Sequence, residues 1–198
     1  EEIINQKKIY GMQKFYRNQR KNLDILIEKN GSPTGGDWSF DKLNRKKLPK
    51  SIKVPKIPIL KINRFIDKAK KDVSLNHGDY YGKYENFNYP ITHKDAEEWL
   101  DSFLIERLNF FGDYEDAIHS NHSKLWHSIL SPLINSGLLT PRQIIDKSWD
   151  FYQFNNIAIN SYEGFVRQII GWREFILLMY KRSSLELRNG NFWDFEDK

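Results

Sequence analysis

Apolar residues recur every three or four positions through most of residues 92–138, which is the spacing of one face of an α-helix. Thr92 and Asp95 resemble a capping box at the start of a first helix. The apolar face of that helix comprises Ala96, Trp99, Leu100, Phe103, Leu104 and Leu108. A second helix is predicted to end near Gly137, because glycine readily adopts the left-handed conformation that terminates helices. The apolar face of the second helix comprises Leu125, Ile129, Leu130, Leu133 and Ile134.

Start signals define two further helices. Thr140 is a suitable N-cap, Pro141 suits the first helical position, and Gln143 completes a capping box. A fourth helix is predicted to start near Ser161, with Arg167 and other polar residues on its flanks. Its apolar stripe comprises Phe165, Ile169, Trp172, Ile176 and Met179. Since no segment alternates with the two-residue period of a strand, the predicted fold class is all-α, a helical bundle.

The first part of the chain predicts fewer regular elements. Spaced apolar residues separated by Lys and Arg predict one long basic helix within residues 1–30. Residues 31–60 contain four of the seven prolines and several glycines, so we predict an extended linker there. A short basic helix is predicted over residues 59–73, and irregular structure over residues 76–91.

The composition is that of a folded chain in a reducing compartment. Its 198 residues suit one ordinary domain, and 15% aromatic and 39% hydrophobic residues exclude a disordered polymer. The absence of cysteine excludes disulfides, thiolate metal sites and thiol nucleophiles within this chain. No run of about 18 apolar residues occurs, so no membrane partner is predicted. We therefore expect a cytoplasmic protein.

Positive charge is concentrated at one end of the chain. Residues 1–75 contain 19 Lys and Arg against 8 Asp and Glu, a net charge of +11, whereas residues 76–198 have a net charge of −6. A cationic segment suits phosphate backbones or acidic surfaces. A solvated, flexible linker explains the same charges equally well.

A cluster of histidines and carboxylates invites a metal interpretation. His119, His122 and His127 lie near the carboxylates Glu115 and Asp116. Their spacing matches no zinc motif, so we favour histidines in polar contacts and predict no metal site. Adjacent carboxylates diverge on a helix, so Glu115 and Asp116 are predicted to face solvent rather than share a catalytic pocket. No catalytic residue is predicted in this chain.

Residues 127–131 and 171–175 suggest an anion site. Hydroxyl and backbone N–H groups at a helix start, with an Arg on a neighbouring helix, are suited to hold a pyrophosphate. Helix capping and core packing explain the same residues without a ligand. Residue chemistry alone leaves both interpretations open.

Residues 130–143, Leu-Ser-Pro-Leu-Ile-Asn-Ser-Gly-Leu-Leu-Thr-Pro-Arg-Gln, are followed by Trp-Arg-Glu-Phe at 172–175. This pattern resembles the flavin-binding helical domain of the photolyase/cryptochrome family. Further stretches are similar to the bacterial photolyase-related branch of that family, which contains iron–sulfur photolyases and cryptochromes. The first stretch runs from Phe-Tyr-Arg at 15–17 to Gly-Gly-Asp-Trp-Ser-Phe-Asp-Lys-Leu-Asn-Arg-Lys at 35–46. The other two are Phe-Gly-Asp-Tyr-Glu-Asp-Ala at 111–117 and Glu-Gly-Phe-Val-Arg-Gln at 163–168.

The resemblance implies a central fragment of a longer protein. Residues 1–30 would end the α/β antenna domain, residues 31–75 would be the basic interdomain linker, and residues 76–198 would form the first half of the helical FAD-binding domain. The remaining half of that domain would be a partner in the parent chain, and its absence would expose an apolar wall that favours self-association. The family's four cluster cysteines lie beyond the matching region. A cysteine-free chain therefore fits either a cluster outside this chain or a cluster-free relative.

By family position, eight residues would contact FAD. Tyr114, His127, Ser128, Leu130 and Ser131 would approach the phosphates and ribityl chain. Gln168, Trp172 and Arg173 would line the isoalloxazine and lesion side. Ile129 stands where the family often has Arg. The basic linker would hold DNA phosphates through Arg45, Lys46, Lys47, Lys50 and Lys53.

The activity implied is that of a photolyase-like lyase on damaged DNA. Such proteins transfer an electron from light-excited reduced FAD to a pyrimidine dimer, here expected to be of the (6-4) type, in a nucleotide extruded from the duplex. We expect the fragment to be inactive alone. Two alternatives stay open at this stage: a cryptochrome-type signalling flavoprotein without repair activity, and a cofactor-free helical DNA-binding module.

Overall fold

The computed structural model describes residues 11–59 and 63–190, and within these ranges the regular structure is helical. The all-α prediction is therefore confirmed, and an isolated bridge between Ile27 and Pro33 is the sole β pairing in the described residues. A short 3₁₀ turn spans Asp41–Leu43, and a π-helical segment spans Arg167–Trp172. The α-helices are α1 Met12–Leu23, α2 Arg64–His77, α3 His93–Glu106, α4 Leu108–Tyr114, α5 Ser131–Asn135, α6 Pro141–Phe154, α7 Ile159–Val166 and α8 Arg173–Asn189.

The first predicted helix of the bundle is confirmed at its start and divided at its end. The Thr92 hydroxyl accepts a hydrogen bond from the Asp95 N–H at 3.2 Å, which caps α3. The backbone leaves helical geometry at Arg107, so Leu108 begins α4 instead of ending α3. Sequence periodicity missed this break because both short helices place their apolar residues in the same core.

The second predicted helix is wrong over most of its length. Leu125 and Ile129 have positive φ angles of 46° and 57°, a left-handed conformation that no continuous α-helix contains. The helix that forms here, α5, begins at Ser131 and ends at Asn135. Its predicted end is confirmed, because Gly137 follows the Ser136 C-cap with a left-handed φ of 78°. Leu125, Trp126 and Leu130 are buried although they lie in a loop, which produces the same sequence pattern as a helix face.

The third helix is confirmed in detail, and the fourth is longer than predicted. Thr140 and Gln143 exchange hydrogen bonds of 2.9 and 3.2 Å between side chain and backbone, which completes the predicted capping box of α6. The fourth begins as α7, passes through the π-helical segment and continues as α8. The predicted apolar stripe of this helix is buried at Ile169 but exposed at Ile176.

The first part of the chain agrees with prediction except for the length of the basic helix. Helix α1 ends at Leu23, because Asp24 adopts a left-handed conformation, instead of continuing toward residue 30. Residues 1–10 lie outside the described part of the chain. Residues 31–59 contain no α-helix, as predicted, but they include turns and the 3₁₀ segment Asp41–Leu43, and helix α2 begins after an Asn63 N-cap. The start of the helix predicted over 59–73 falls partly on residues 60–62, which are also outside the described residues.

The main core lies between α3, α4, α6, α7 and the π-helical segment. Phe103 and Phe165 lie at its centre, with ring centroids 4.8 Å apart. A smaller cluster formed by Tyr114, Leu125 and Trp126 packs against linker residues and so ties the linker to the bundle. Helix α8 buries none of its side chains and exposes several large apolar ones, but self-association through them stays a prediction. None of the described helices is both long and apolar enough to span a membrane.

Candidate functional site

A buried ion network joins the linker to the helical bundle. Arg167, in the π-helical segment, donates hydrogen bonds to Asp41 at 2.7 Å and to Glu115 at 3.1 Å. Its Nε also lies 3.4 Å from a carboxylate oxygen of Glu163, which is fully buried. A buried guanidinium needs such partners because an unpaired charge in the interior is very costly. The prediction that Glu115 faces solvent is therefore corrected, since Glu115 and Arg167 both have side chains that are 8% exposed and belong to one network.

The pKa values of two carboxyl partners of Arg167 shift in opposite directions. The hydrogen bond from Arg167 holds the pKa of the Asp41 carboxyl below its ordinary value. Burial raises the pKa of the Glu115 carboxyl, and the nearby Arg167 charge only partly opposes that shift. Within this network the Arg167 charge therefore favours the ionised form of the Glu115 carboxyl, against the effect of burial.

Further contacts hold residues 37–46, hereafter the docking loop, against α4 and α7. Asn160 donates a hydrogen bond to the side chain of Asn44 at 3.0 Å and another to Asp113 at 3.1 Å. Lys46 pairs with the same Asp113 at 2.9 Å. Asn44 is fully buried, which is rare for an amide unless its polar atoms are bonded.

The opposite side of the docking loop is fastened to α1. Three cations of α1 lie over the indole of Trp38: Arg20 and Lys21 at 5.2 Å and Arg17 at 5.9 Å from the ring centroid. Arg20 also donates a hydrogen bond to the Trp38 carbonyl at 3.0 Å. The docking loop is part of the family-like stretch at 35–46, and it therefore has a structural role, because it joins α1 to the bundle.

An open groove lies between α1, the docking loop and the π-helical segment. Its volume is about 800 Å³, and both Gln168 and Trp172 line it. Trp172 is 42% exposed, which leaves much of a large aromatic ring available to a ligand. Side chains of both charges line the rest of this central groove: Arg17, Asp37, Asp41, Lys42, Arg45, Glu115, Asp116 and Arg167.

A second candidate site is the loop that precedes α5. Ile129 has φ of 57°, and Leu130 follows with φ of −89° and ψ of −12°. A left-handed residue followed by a right-handed one turns successive N–H groups toward a common point, which is the backbone geometry of an anion-binding nest. A β-branched residue in the left-handed region is strained and is a recognised pointer to function. We call residues 127–131 the nest loop.

The remaining predicted cofactor residues are distributed around the nest loop. The side chains of Tyr114 and Leu130 are buried in the two apolar clusters. His127 is half-buried against Phe111, and burial lowers the pKa of its imidazole, which favours the neutral ring. Arg173 donates a hydrogen bond of 3.1 Å to Asn135. The eight predicted residues thus fall into two places, since only Gln168 and Trp172 line the central groove.

The five predicted DNA-binding cations are not equivalent. Arg45 pairs with Asp41 at 2.8 Å and Lys46 pairs with Asp113 at 2.9 Å. Lys47, Lys50 and Lys53 are exposed and have no ion pair within the described part of the chain. These three lysines are the members of the set that are fully available to a phosphate.

The histidine cluster shows no metal geometry. The rings of His119 and His122 lie 4.8 Å apart, and His119 Nδ1 accepts a hydrogen bond from the Asn121 N–H. Across residues 11–59 and 63–190, no group of three or more His, Asp or Glu side chains is placed to hold a metal ion.

Sequence reasoning missed two features of these sites. The left-handed Ile129 has no local signal, because neither glycine nor asparagine stands there. The Arg167 network joins residues more than fifty positions apart, so spacing along the chain does not reveal it. The available signal was the presence of Asp41, Glu115 and Arg167 within the three family-like stretches.

Comparison with known proteins gives three matches, one to a family and two to individual proteins. Residues 1–89 match the sequence model of the deoxyribodipyrimidine photo-lyase-related protein family. A (6-4) photolyase of Agrobacterium fabrum is 34% identical over 184 residues, covering 92% of this chain and 36% of that protein. An uncharacterized protein of Acanthamoeba polyphaga mimivirus is 44% identical over 69 residues, covering 34% of this chain and 53% of that protein.

The chain spans about a third of the photolyase and about half of the mimivirus protein. The photolyase match covers nearly the whole chain, including the docking loop, the nest loop and the π-helical segment. These matches confirm the resemblance noted in the sequence, and the chain belongs to the photolyase-related family.

Proposed function

We propose that this chain is the part of a light-driven DNA photolyase that binds the phosphates of FAD at the nest loop and faces damaged DNA with the central groove. The relative with the broad match is named a (6-4) photolyase, which supports (6-4) pyrimidine dimers as the lesion. The activity belongs to a protein longer than this chain, because the chain spans 36% of that relative.

The observation on which this proposal rests is the left-handed Ile129 followed by the right-handed Leu130. Converging backbone N–H groups suit a pyrophosphate whatever side chain stands at position 129. The loop is held from behind, since the Trp99 indole N–H donates to the Ser128 carbonyl at 3.3 Å. The residues therefore fit the phosphate end of a dinucleotide, with the hydroxyls of Ser128 and Ser131 as further donors.

Each predicted residue then has a defined task. Tyr114 and Leu130 support the nest loop from the core, and their side chains do not touch the cofactor. His127, in its neutral form, provides a ring nitrogen as donor or acceptor without adding charge. Arg173, tied to Asn135, provides a cation beside α5.

The central groove suits an extruded nucleotide. An enzyme cannot reach bonds inside a base stack, so a damaged nucleotide must leave the duplex. The exposed face of Trp172 is suited to stack on a base, and the Gln168 amide is able to donate and accept hydrogen bonds at a base edge. Bound flavin supplies the light-excited electron donor of the repair reaction.

Replacing Ile129 with proline tests the nest loop. Proline locks φ near −65°, so the left-handed conformation is lost, whereas Ile129→Gly preserves it. We expect FAD affinity to fall about tenfold or more in Ile129→Pro and to change little in Ile129→Gly. Titration of each purified chain with FAD, followed by flavin fluorescence, measures this, and far-UV circular dichroism reports whether each variant is folded.

One further variant tests the cation assigned to the cofactor beside α5. Arg173→Ala is expected to weaken FAD binding, and the Arg173 side chain is exposed, so the variant should fold. Equal affinity of Ile129→Pro and the wild type, or no saturable binding by the wild type, would contradict the phosphate site proposed for this chain.

The DNA contact predicts a defined change in salt dependence. Each phosphate contact to duplex DNA contributes about 0.9 to the slope of log affinity against log salt. Replacing Lys47, Lys50 and Lys53 with Gln is therefore expected to reduce that slope by about 2 to 3. The control Lys46→Gln should change it less, because Lys46 is already paired with Asp113. Fluorescence anisotropy with labelled duplex DNA at several salt concentrations provides the measurement, and an unchanged slope in the triple variant argues against these lysines.

A further inference from the structure

A second groove, separate from the sites above, lies between α2 and residues 83–91. Its volume is about 600 Å³, within the range of small-molecule sites. One face of α2 forms its floor, with Ile66, Lys70 and Val73 partly covered by the segment that follows the helix. Four aromatic side chains line this α2 groove: Phe65, Tyr84, Phe87 and Tyr89.

The chemistry of the α2 groove favours a flat aromatic group attached to an anion. Its charged lining residues are Lys70 and Lys83, and none of its lining residues is acidic. Lys70 is held by a hydrogen bond of 2.8 Å to the Glu85 carbonyl, whereas Lys83 is exposed and has no ion pair within the described residues. Phe65 is 60% exposed, and the Arg64 guanidinium lies 4.9 Å from its ring centroid, so the ring is accessible to solvent with a cation beside it. Aromatic rings stack on nucleobases, and lysines at the rim neutralise the attached phosphates.

The approach to the α2 groove is strongly cationic. Residues 42–71 contain twelve Lys and Arg and one acidic residue, Asp67. The chain that leads from these lysines is attached to the groove wall, since the Asn88 amide donates a hydrogen bond of 3.0 Å to the Pro58 carbonyl. Ile57 lies in the same region, beside Tyr89. A nucleic-acid strand lying along residues 47–56 would therefore reach the rim of the groove.

We propose that the α2 groove binds an unpaired nucleobase of single-stranded DNA whose phosphates lie on the exposed lysines of the linker. Apolar walls exclude a charged occupant from the interior, and the lysines at the rim select an anion outside it. Stacking on Phe65 and its neighbours accepts any base, so the contact is independent of sequence. The inference rests on the proposed DNA contact of Lys47, Lys50 and Lys53, and extends it to a surface that recognises unpaired bases.

The test uses a single strand of about ten nucleotides with one 2-aminopurine, a base whose fluorescence is quenched by stacking. Phe65→Ala is expected to weaken binding of this strand about fivefold or more and to reduce the quenching, while duplex binding stays unchanged. Lys83→Gln should weaken binding of the strand to a smaller extent and lower the slope of log affinity against log salt by about 0.7. Phe154→Ala is the matched control, because Phe154 is 87% exposed on α6 and does not line the groove.

The outcomes separate this inference from the proposed function. If Phe65→Ala and the wild type bind the strand equally well and quench its fluorescence equally, the proposal that the α2 groove binds an unpaired base is overturned. This holds whatever the result for duplex DNA. If the triple lysine variant still loses duplex affinity in that case, the proposed DNA contact stands alone. Equal losses for Phe65→Ala and Phe154→Ala also overturn the inference, since they reflect a general effect of removing an exposed ring.

Discussion

Replacing Arg167 with methionine is expected to lower the free energy of unfolding by about 3–5 kcal/mol, because it leaves buried carboxylates without their cation. Glu163 is fully buried, Glu115 is nearly so, and Asp41 pairs with the same guanidinium. Urea denaturation followed by circular dichroism measures the change. Hydrogen exchange should also show the docking loop losing protection, since Asp41 is its direct link to Arg167.

The matched control is Arg45→Met, which removes an exposed pair with the same Asp41. The Arg45 side chain is 67% exposed, so this pair is expected to contribute less than about 1 kcal/mol. A loss of similar size in the two variants would contradict a special role for the buried network.

The cost of Arg167→Met should depend on pH in a defined direction. Burial already raises the pKa of Glu115 above its ordinary value of 4.5, and removing the Arg167 charge raises that pKa further. A carboxyl with a raised folded-state pKa favours the folded state below its unfolded pKa, and that contribution is lost as pH rises through the folded pKa. The stability difference from the wild type should therefore narrow as pH falls from 7 toward 4.5. A difference that widens over this interval would contradict the assignment.

Replacing Gly112 with alanine is expected to cost about 3 kcal/mol and to lower Tm by about 5–10 °C. An added Cβ would lie 2.7 Å from both the Asn160 carbonyl oxygen and the Ser161 Cα, and these are backbone atoms of α7 that cannot rotate away. The Gly112 N–H also donates to the Ser161 hydroxyl at 2.9 Å, so moving α4 outward breaks a buried hydrogen bond. Differential scanning calorimetry measures the shift in Tm.

Gly190→Ala provides the control for this substitution. Gly190 has an extended φ of −151°, and its added Cβ would make only an ordinary contact of 3.7 Å. The expected change is within about 0.5 kcal/mol. If Gly112→Ala were equally mild, α4 and α7 would have to be less tightly packed than their contact distances indicate.

Local signals were sufficient where a structure depends on neighbours in sequence. Thr140 and Gln143 form the predicted capping box because all of its partners lie within one helical turn. The absence of an α-helix from residues 31–59 follows from their prolines and glycines in the same way. The family was also accessible from sequence, because its stretches combine several residues at fixed spacing.

The burial of individual polar residues required the tertiary structure. Arg167 lies opposite the apolar stripe of its predicted helix, yet the docking loop supplies Asp41 as its partner and its side chain is 8% exposed. The left-handed backbone conformation of Ile129 also depends on the tertiary structure. Such backbone strain persists only where the surrounding packing compensates for its energetic cost. The eight predicted cofactor residues are divided between the central groove and the surroundings of the nest loop, because spacing along the chain does not determine distance in space.

The sequence by itself therefore determined the all-α class, the capped helices α3 and α6, the cationic segment and the family. The tertiary structure alone decided which charges are free, which are buried, and where Gln168 and Trp172 meet the docking loop. The physical reason is that helix signals act within a turn or two, whereas burial depends on segments such as residues 37–46 that pack from far along the chain.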